Sequence, residues 1–423
     1  MALVSSGVLI GTTDGGTGAA APITAGTPSL LRAINERSVL ELIHNRGPLS
    51  RAQVARVSGL SKPTVSLALS GLLRAELVLE VGRSHGDRGP SAVLYEVNPS
   101  AGWVVGIDVG RKWVRAAIAD ISGKIVARRD ERARVTSQRQ LIGQIGSIAH
   151  RLAREAGVAW SQVTQAAVGS PGVFDPARGY VAMAPNLPGW GRHGLVEAVR
   201  EQLGSSVSFE NDVNLAALAE RDHGLGRNLR NFVLISIGTG IGLALVIDGQ
   251  LRRGAHGAAG EIAYLPVGPR DPKDPANRRR GSFEEAAAAA GIVREARRLG
   301  MRGSLTAESV FGAARHGNRT AERVVALEAE RLALAIATIA PVLDPELVIL
   351  GGGIGRSGDL LIEPIERELR QILPFRPKIA VSALGDDAVL QGAVAIALEA
   401  ARERVFARQP GRQLQQAAGE AAR

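Results

Sequence analysis

The chain has no cysteine in its 423 residues. That excludes disulfides and thiolate zinc sites, and it fits a cytosolic protein without deciding the compartment. No uninterrupted apolar run reaches membrane-spanning length, so a soluble, cytoplasmic protein with no membrane partner is expected. The opening residues, MALVSSGVLIGTTDGG, carry neither a basic start nor a long apolar stretch, which argues against a secretory signal. Lysine is scarce, present only at Lys62, Lys112, Lys124, Lys273 and Lys378, so arginine supplies nearly all of the positive charge. The 51 basic and 41 acidic residues leave a net charge of +10, which favours contact with polyanions. An Arg- and Ala-rich genomic bias gives the same balance, so charge alone leaves nucleic-acid binding open. The 45% apolar content supports a sizeable core, and the length points to two or three compact units.

What is present divides the chain into four stretches. Residues 1–28 are rich in Gly, Thr, Ala and Ser without an apolar period and read as a flexible tail. From Ser29 the spacing becomes helical through Leu30, Leu31, Ile34, Leu40 and Ile43, until Gly47-Pro48 stops it. Ser50 with Gln53 makes a capping box that opens a helix over 51–58, with Val54 and Val57 on its buried side. Gly59 permits a sharp turn. Ser61 caps the next helix, over 62–73, and Pro63 sits in its first turn. There Val65, Leu69, Leu72 and Leu73 form the inward face. Two β-rich segments, 77–81 and 92–97, flank GRSHGDRGP, a hairpin with a basic tip. Helix, glycine turn, helix and basic hairpin predict a winged helix-turn-helix over 29–98. Arg51, Lys62, Thr64, Ser66, Ser70, Arg83 and Arg88 are its candidate DNA contacts. A three-helix bundle used for protein contacts is the competing reading.

From Gly102 onward the pattern turns α/β. Strands are predicted at 104–108, 114–119, 166–169, 232–237 and 347–350, and helices at 141–155 and 321–339. This second domain spans 99–402, and a polar, Gln-rich tail follows over 403–423. Its chemistry-bearing signals lie at strand ends. GIDVG places Asp108 beside the Gly110 turn, a position from which a carboxylate orients a metal-bound phosphate. GSPGVFD (169–175) is a tight turn. In ENDVNLAALAE (210–220), Asp212 reads either as a helix cap or as a general base for phosphoryl transfer. GTGIG gives a glycine turn at Gly238, Thr239 and Gly240, and GGG (351–353) offers Gly352 for close approach to an adenosine. GAAGEIAY presents Glu261 to sugar hydroxyls. Each glycine run also reads singly as ordinary turn chemistry.

Taken in order, these motifs resemble the ROK family of repressors and sugar kinases. The run includes APNLPGW (184–190), RGAHGAAGEI (253–262), VILGGGI (348–354) and GDDAVLQGAVAIALE (385–399). The resemblance implies a two-lobed, actin-like ATPase (ribonuclease H-like) fold. It also implies that Asn186, Asn211, Asp212, Glu261, Tyr264 and Glu284 contact a sugar, with Asp212 at the catalytic-base position. The winged helix is what the family's repressor branch carries. Three departures stand against catalysis and metal. Arg111 and Lys112 replace the Gly-Thr of the kinase phosphate loop, and a bulky side chain there obstructs backbone approach to phosphate. Tyr264 replaces a histidine that binds sugar and zinc, and Asn277 to Ser282 replace the Cys-rich zinc loop, so no zinc or other cofactor is expected.

The expected function is a non-catalytic transcriptional regulator, a repressor by family, sensing a small carbohydrate, with xylose among the candidates. A homodimer or homotetramer reading a near-palindromic operator follows from the resemblance. The alternatives are an ATP-dependent hexose kinase with an added DNA-binding domain, and a DNA-binding dimer that has lost its ligand.

Overall fold

Helix caps and apolar stripes locate the first elements. The computed structural model describes residues 28–84, 91–175, 180–182, 184, 187, 189–191, 193–267, 271 and 273–407. Expectations for residues 1–27, the wing tip with Arg88, Asn186, and residues 408–423 lie outside them. Contacts divide the chain between Val97 and Asn98 into two units.

The first unit runs α1 (Pro28–Arg46), β1 (Leu49–Ser50), α2 (Arg51–Ser58), α3 (Lys62–Arg74), β2 (Val78–Ser84) and β3 (Ala92–Val97). The Ser50 hydroxyl accepts from the Gln53 N–H while the Gln53 side chain accepts from the Ser50 N–H, so the capping box forms as its spacing predicts. Gly59, at φ 72°, adopts the left-handed conformation that lets α3 turn away from α2. Val39, Ile43, Val54, Val65, Leu69, Leu72 and Tyr95 are buried where the helices meet β3. The antiparallel sheet has the order β1-β3-β2. Leu31 and Ile34 are exposed, while α1 turns Glu36, Val39 and Ile43 inward and Glu36 lies over Gly71 of α3. One expectation needs correction. β2 extends past residue 81 because a bulge between Glu80 and Gly82 lets pairing with β3 continue to Ser84.

The second unit is a repeated design. Its first lobe holds β4 (Trp103–Val109), β5 (Trp113–Asp120), β6 (Ile125–Arg132), α4 (Gln138–Glu155), β7 (Val163–Ser170), β8 (Val173–Asp175), β9 (Tyr180–Ala182), α5 (Leu195–Leu203), β10 (Val207–Asn211) and α6 (Asp212–His223). The second lobe holds β11 (Phe232–Ile237), β12 (Ile241–Ile247), β13 (Gln250–Arg252), α7 (Pro275–Arg280), α8 (Ser282–Ala287), α9 (Ala289–Arg298), α10 (Ala307–Arg315), α11 (Arg319–Leu343), β14 (Leu347–Gly351), α12 (Gly352–Gly355), α13 (Gly358–Ile372), β15 (Lys378–Val381) and α14 (Ala388–Ala407). The sheet orders are β10-β7-β4-β5-β6 and β13-β12-β11-β14-β15. In each, a three-strand antiparallel meander continues into two parallel strands. Both lobes therefore share one topology. Each has its own apolar core, around Ile107, Ile145 and Trp190 in the first and around Phe283, Leu332 and Leu350 in the second.

The helices that end the lobes are exchanged. α6 packs Ala216 and Ala217 onto Phe232, Leu234 and Ala244 of the second sheet. α14 crosses to the first sheet, where Val394 lies against Gly106 of β4. The two helices cross at Gly392, where a Cβ would run into the Leu215 carbonyl oxygen. α14 also corrects the predicted tail. It stays helical to Ala407, because Val405 packs on Gly102 and Arg402 donates to the Ile121 carbonyl.

Candidate functional site

On the first unit, Lys62, Ser70 and Arg83 are exposed, while Thr64 and Ser66 are half-buried on α3. The Thr64 hydroxyl shares a 2.8 Å hydrogen bond with that of Ser61 at the helix cap. Arg51 sits with its guanidinium 5.5 Å from the centre of the Tyr95 ring, so its charge is turned toward β3. Sequence reasoning passed over Leu67, which is 56% exposed on the outer face of α3. Its signal was legible, since it falls off the Val65-Leu69-Leu72 stripe.

In the second unit, strand ends of both lobes converge on a cavity of about 400 Å³. Asn211 closes the end of β10 and caps α6. Its Oδ1 accepts from the Val213 and Asn214 N–H groups at 2.8 and 3.2 Å, and its Nδ2 donates to the Gly172 carbonyl at 3.0 Å. The cap is thus Asn211, not Asp212, whose carboxylate stands in the first turn of α6 and lines the cavity. Burial raises the pKa of Asp212, opposed by the Val213 N–H that it accepts.

Glu210 ties this corner to the other lobe. Its Oε1 accepts from the Asn211 N–H and the Asn214 amide at 2.9 and 2.8 Å, and its Oε2 accepts from Arg253 Nε at 2.6 Å. Arg253 opens the loop that ends at Glu261, so one ion pair links the two sides of the cleft. Burial, then the charges of Glu284 and Asp212, push Glu261 up to about 7. Glu284 is also raised by burial, opposed first by the Ile241 N–H that donates to it at 3.1 Å. Tyr264 lines the same end of the cavity, its phenol raised by burial and then by Glu261 and Glu284. Three carboxylates around one space form a set of hydroxyl acceptors, and Asn211, its Oδ1 already taken by two N–H groups, offers its second amide N–H as a donor. The structure thereby brings together Asn211, Asp212, Glu261, Tyr264 and Glu284.

The opposite end is built around Asp108. Asp108 is 6% exposed and accepts from Arg115 Nη1 at 3.0 Å. Burial pushes its carboxyl up to about 6, with Arg115 opposing and Asp212 adding to the rise. Arg115 also lies 3.5 Å from Asp130, which pairs with Arg128, which in turn reaches Asp387 ahead of α14. Arg111, exposed, lines the cavity next to Gly110. Across the cleft, Gly238 donates to the Gly240 carbonyl at 2.9 Å, Thr239 is exposed, and Gly352 faces them from the start of α12. The Arg115 partner was missed, although a three-residue hairpin turn over 110–112 sets Asp108 opposite Arg115 in register.

The segment replacing the Cys-rich loop is held by hydrogen bonds. The Asn277 side-chain amide donates to the Asp271 carbonyl at 2.7 Å, the Asn277 carbonyl accepts from the Gly281 N–H at 2.6 Å, and the Ser282 hydroxyl donates to the Leu265 carbonyl at 2.8 Å. Asn277 and Ser282 are both buried. Together these bonds hold α7 and the start of α8 against the turn that carries Tyr264.

The ROK family pattern matches residues 104–400. The chain is 26% identical over 390 residues to the xylose repressor of Caldicellulosiruptor bescii, covering 88% of this chain and 97% of that one. It is 31% identical over 314 residues to the glucokinase of Halalkalibacterium halodurans, covering 69% and 93%. The fold matches the crystal structure of a ROK family transcriptional regulator, a homolog of the E. coli MLC protein, with a TM-score of 0.75 at 23% identity, over 90% of this chain and 98% of that one. With the motifs in order, the two lobes in place and 297 consecutive residues spanned by the family pattern, this chain belongs to the ROK family.

Proposed function

We propose that the chain is a DNA-binding repressor whose ROK unit binds a sugar and couples that binding to operator affinity. One observation carries the reading: a winged helix shares the chain with a cleft whose nucleotide-side carboxylate, Asp108, is already paired with Arg115. The similarity to a xylose repressor supports it. That match covers 88% of the chain, more than the second unit supplies, whereas the glucokinase match at 69% fits within it. Asp212, Glu261 and Glu284 accept hydrogen bonds from sugar hydroxyls, Asn211 donates its remaining amide N–H, and Tyr264 borders them. Xylose is the first sugar to try. Arg115 supplies inside the protein the positive charge that a metal-bound nucleotide would bring to Asp108, and Arg111 narrows the approach. The reading is therefore a sensor without turnover.

Zinc has no part in it. The positions that the family's metal would use hold Tyr264, Asn277 and Ser282, whose phenol, amide and hydroxyl do not fit a zinc site, and hydrogen bonds hold the loop instead. Two copies related by a two-fold axis would read symmetric half-sites. Among the described residues no helix is long and apolar enough to cross a membrane, in keeping with a regulator working on DNA in the cytoplasm.

Fluorescence anisotropy on DNA selected by the full chain, titrated with xylose, glucose, N-acetylglucosamine and mannose, tests the coupling. A shift of about 5- to 150-fold in DNA affinity with one sugar is expected. The idea fails if no sugar moves it. A sugar kinase is the second reading, favoured by the position of Asp212 at the start of α6 and by the glucokinase similarity. Sugar-dependent ADP release that disappears in Asp212→Asn would establish it.

A further inference from the structure

Leu67 is a large apolar side chain that folding does not use. α3 buries Val65, Ala68, Leu69 and Leu72, and Leu67 points the other way with 56% of its surface exposed. Its neighbours one turn away on that face are short: Pro63 and Thr64 before it, Ser70 and Gly71 after it. The longer Lys62 and Arg74 stand at the two ends of the helix, and Arg74 folds back to donate to the Ser70 carbonyl at 3.2 Å. Leu67 is therefore the most protruding group at the middle of the face. The nearby Ser61 and Thr64 hydroxyls bond each other, which lowers their competition for donors and acceptors on a base.

A single exposed leucine on a surface is ordinary. Here it stands at the centre of the helix which, on the function proposed above, enters the major groove. The base edges there offer hydrogen-bond donors and acceptors, and thymine alone adds an apolar group, its 5-methyl. We infer that Leu67 reads a thymine methyl in each half-site and is a specificity-determining residue for DNA binding. Ser66 and Ser70 flank it as adaptable hydrogen-bonding groups. This explains how a recognition helix with few charged side chains still discriminates sequence: the discriminating contact is apolar, and a polar inventory of the helix overlooks it.

The inference rests on α3 being the groove-inserted helix, and the test separates the two claims. The full-length chain selects duplexes from a random pool. Each thymine of the selected site is then replaced by deoxyuridine, which removes the methyl and keeps every hydrogen-bonding group. At one symmetry-related thymine pair, the replacement is expected to weaken the natural chain about fourfold per half-site. Leu67→Ala should weaken binding to the unmodified site by a similar factor, and the two changes together should cost no more than either alone. Leu67→Ser should behave as Leu67→Ala does, and the exposure of the position predicts unchanged melting for both. Losses that add, or no thymine whose methyl matters, overturn the Leu67 assignment and leave DNA binding standing. Failure to select any sequence overturns both.

Discussion

The hairpins β4–β5 and β11–β12 occupy equivalent places in the two lobes, each opening its sheet, yet they present different chemistry to the cleft. In the first, Arg115 lies across from Asp108 and neutralises it, and Arg111 stands beside the Gly110 turn. In the second, Gly238, Thr239 and Gly240 keep a small turn. The open turn has structural work that needs no nucleotide. The Gly238 carbonyl accepts from the Ala289 N–H at 2.9 Å, and the Ile241 N–H at the end of the turn holds Glu284 in the cavity. The backbone of this turn therefore serves the sugar side of the cavity whether or not a nucleotide binds. The pair teaches that one strand topology, used twice, can arm its two equivalent hairpins with different chemistry.

The largest expected effect tests whether the lobes behave as one body. Gly392→Ala drives a Cβ into the Leu215 carbonyl and should cost more than about 3 kcal/mol, with both lobes unfolding in a single urea transition. Two separate transitions would break the comparison. Asp108 marks the altered hairpin by its pH response. Its folded pKa of about 6 lies above the ordinary carboxylate value. Stability from this group is complete below that ordinary value and falls as pH rises through about 6, by about 3 kcal/mol in all. Asp108→Asn should flatten that part of the curve in ligand-free protein, whereas Thr239→Ala in the other hairpin should leave it intact.

At the sugar side of the cavity, Glu261→Gln should weaken binding of the identified sugar by about 10- to 100-fold in calorimetry, through loss of a charged acceptor. The natural chain should gain about tenfold in sugar affinity between about pH 6 and pH 8, because the carboxylate form accepts the hydroxyls and is populated as pH passes through about 7. That gain should vanish in Glu261→Gln. Arg253→Ala should have the smallest effect. Arg253 is half-exposed, so stability should move by less than about 1 kcal/mol, with a few-fold loss in sugar affinity from the loosened cleft.

Much of the fold was legible because its signals are local. Helix 51–58 and strands 92–97 and 232–237 have the predicted bounds, fixed by caps and apolar runs. On α1 the spacing marks a helix without saying which of its apolar residues face inward: Leu31 and Ile34 are exposed, and Glu36 takes the space over Gly71. At the cavity, Asn211, Asp212, Glu261, Tyr264 and Glu284 were readable through ordered motifs. The Glu210–Arg253 pair was not, since it joins residues far apart in sequence through the meeting of two lobes. Arg115 lies between these cases. Its contact follows from hairpin register, which the turn length fixes, but the alternation had to be followed across the turn.

The exchange of α6 and α14 also sets an order of events during synthesis. A chain made from its N-terminus completes the strands of the first lobe long before α14, the helix that packs Val394 against Gly106, leaves the ribosome. Until then one apolar face of that sheet lacks its native cover. The second unit therefore closes only once α14 is free to pack, after the strands of both lobes have been made. A stop codon ahead of Ala388 would leave the earlier-made sheet of this unit uncovered, a lesion in one lobe's stretch of the message felt in the core of the other lobe.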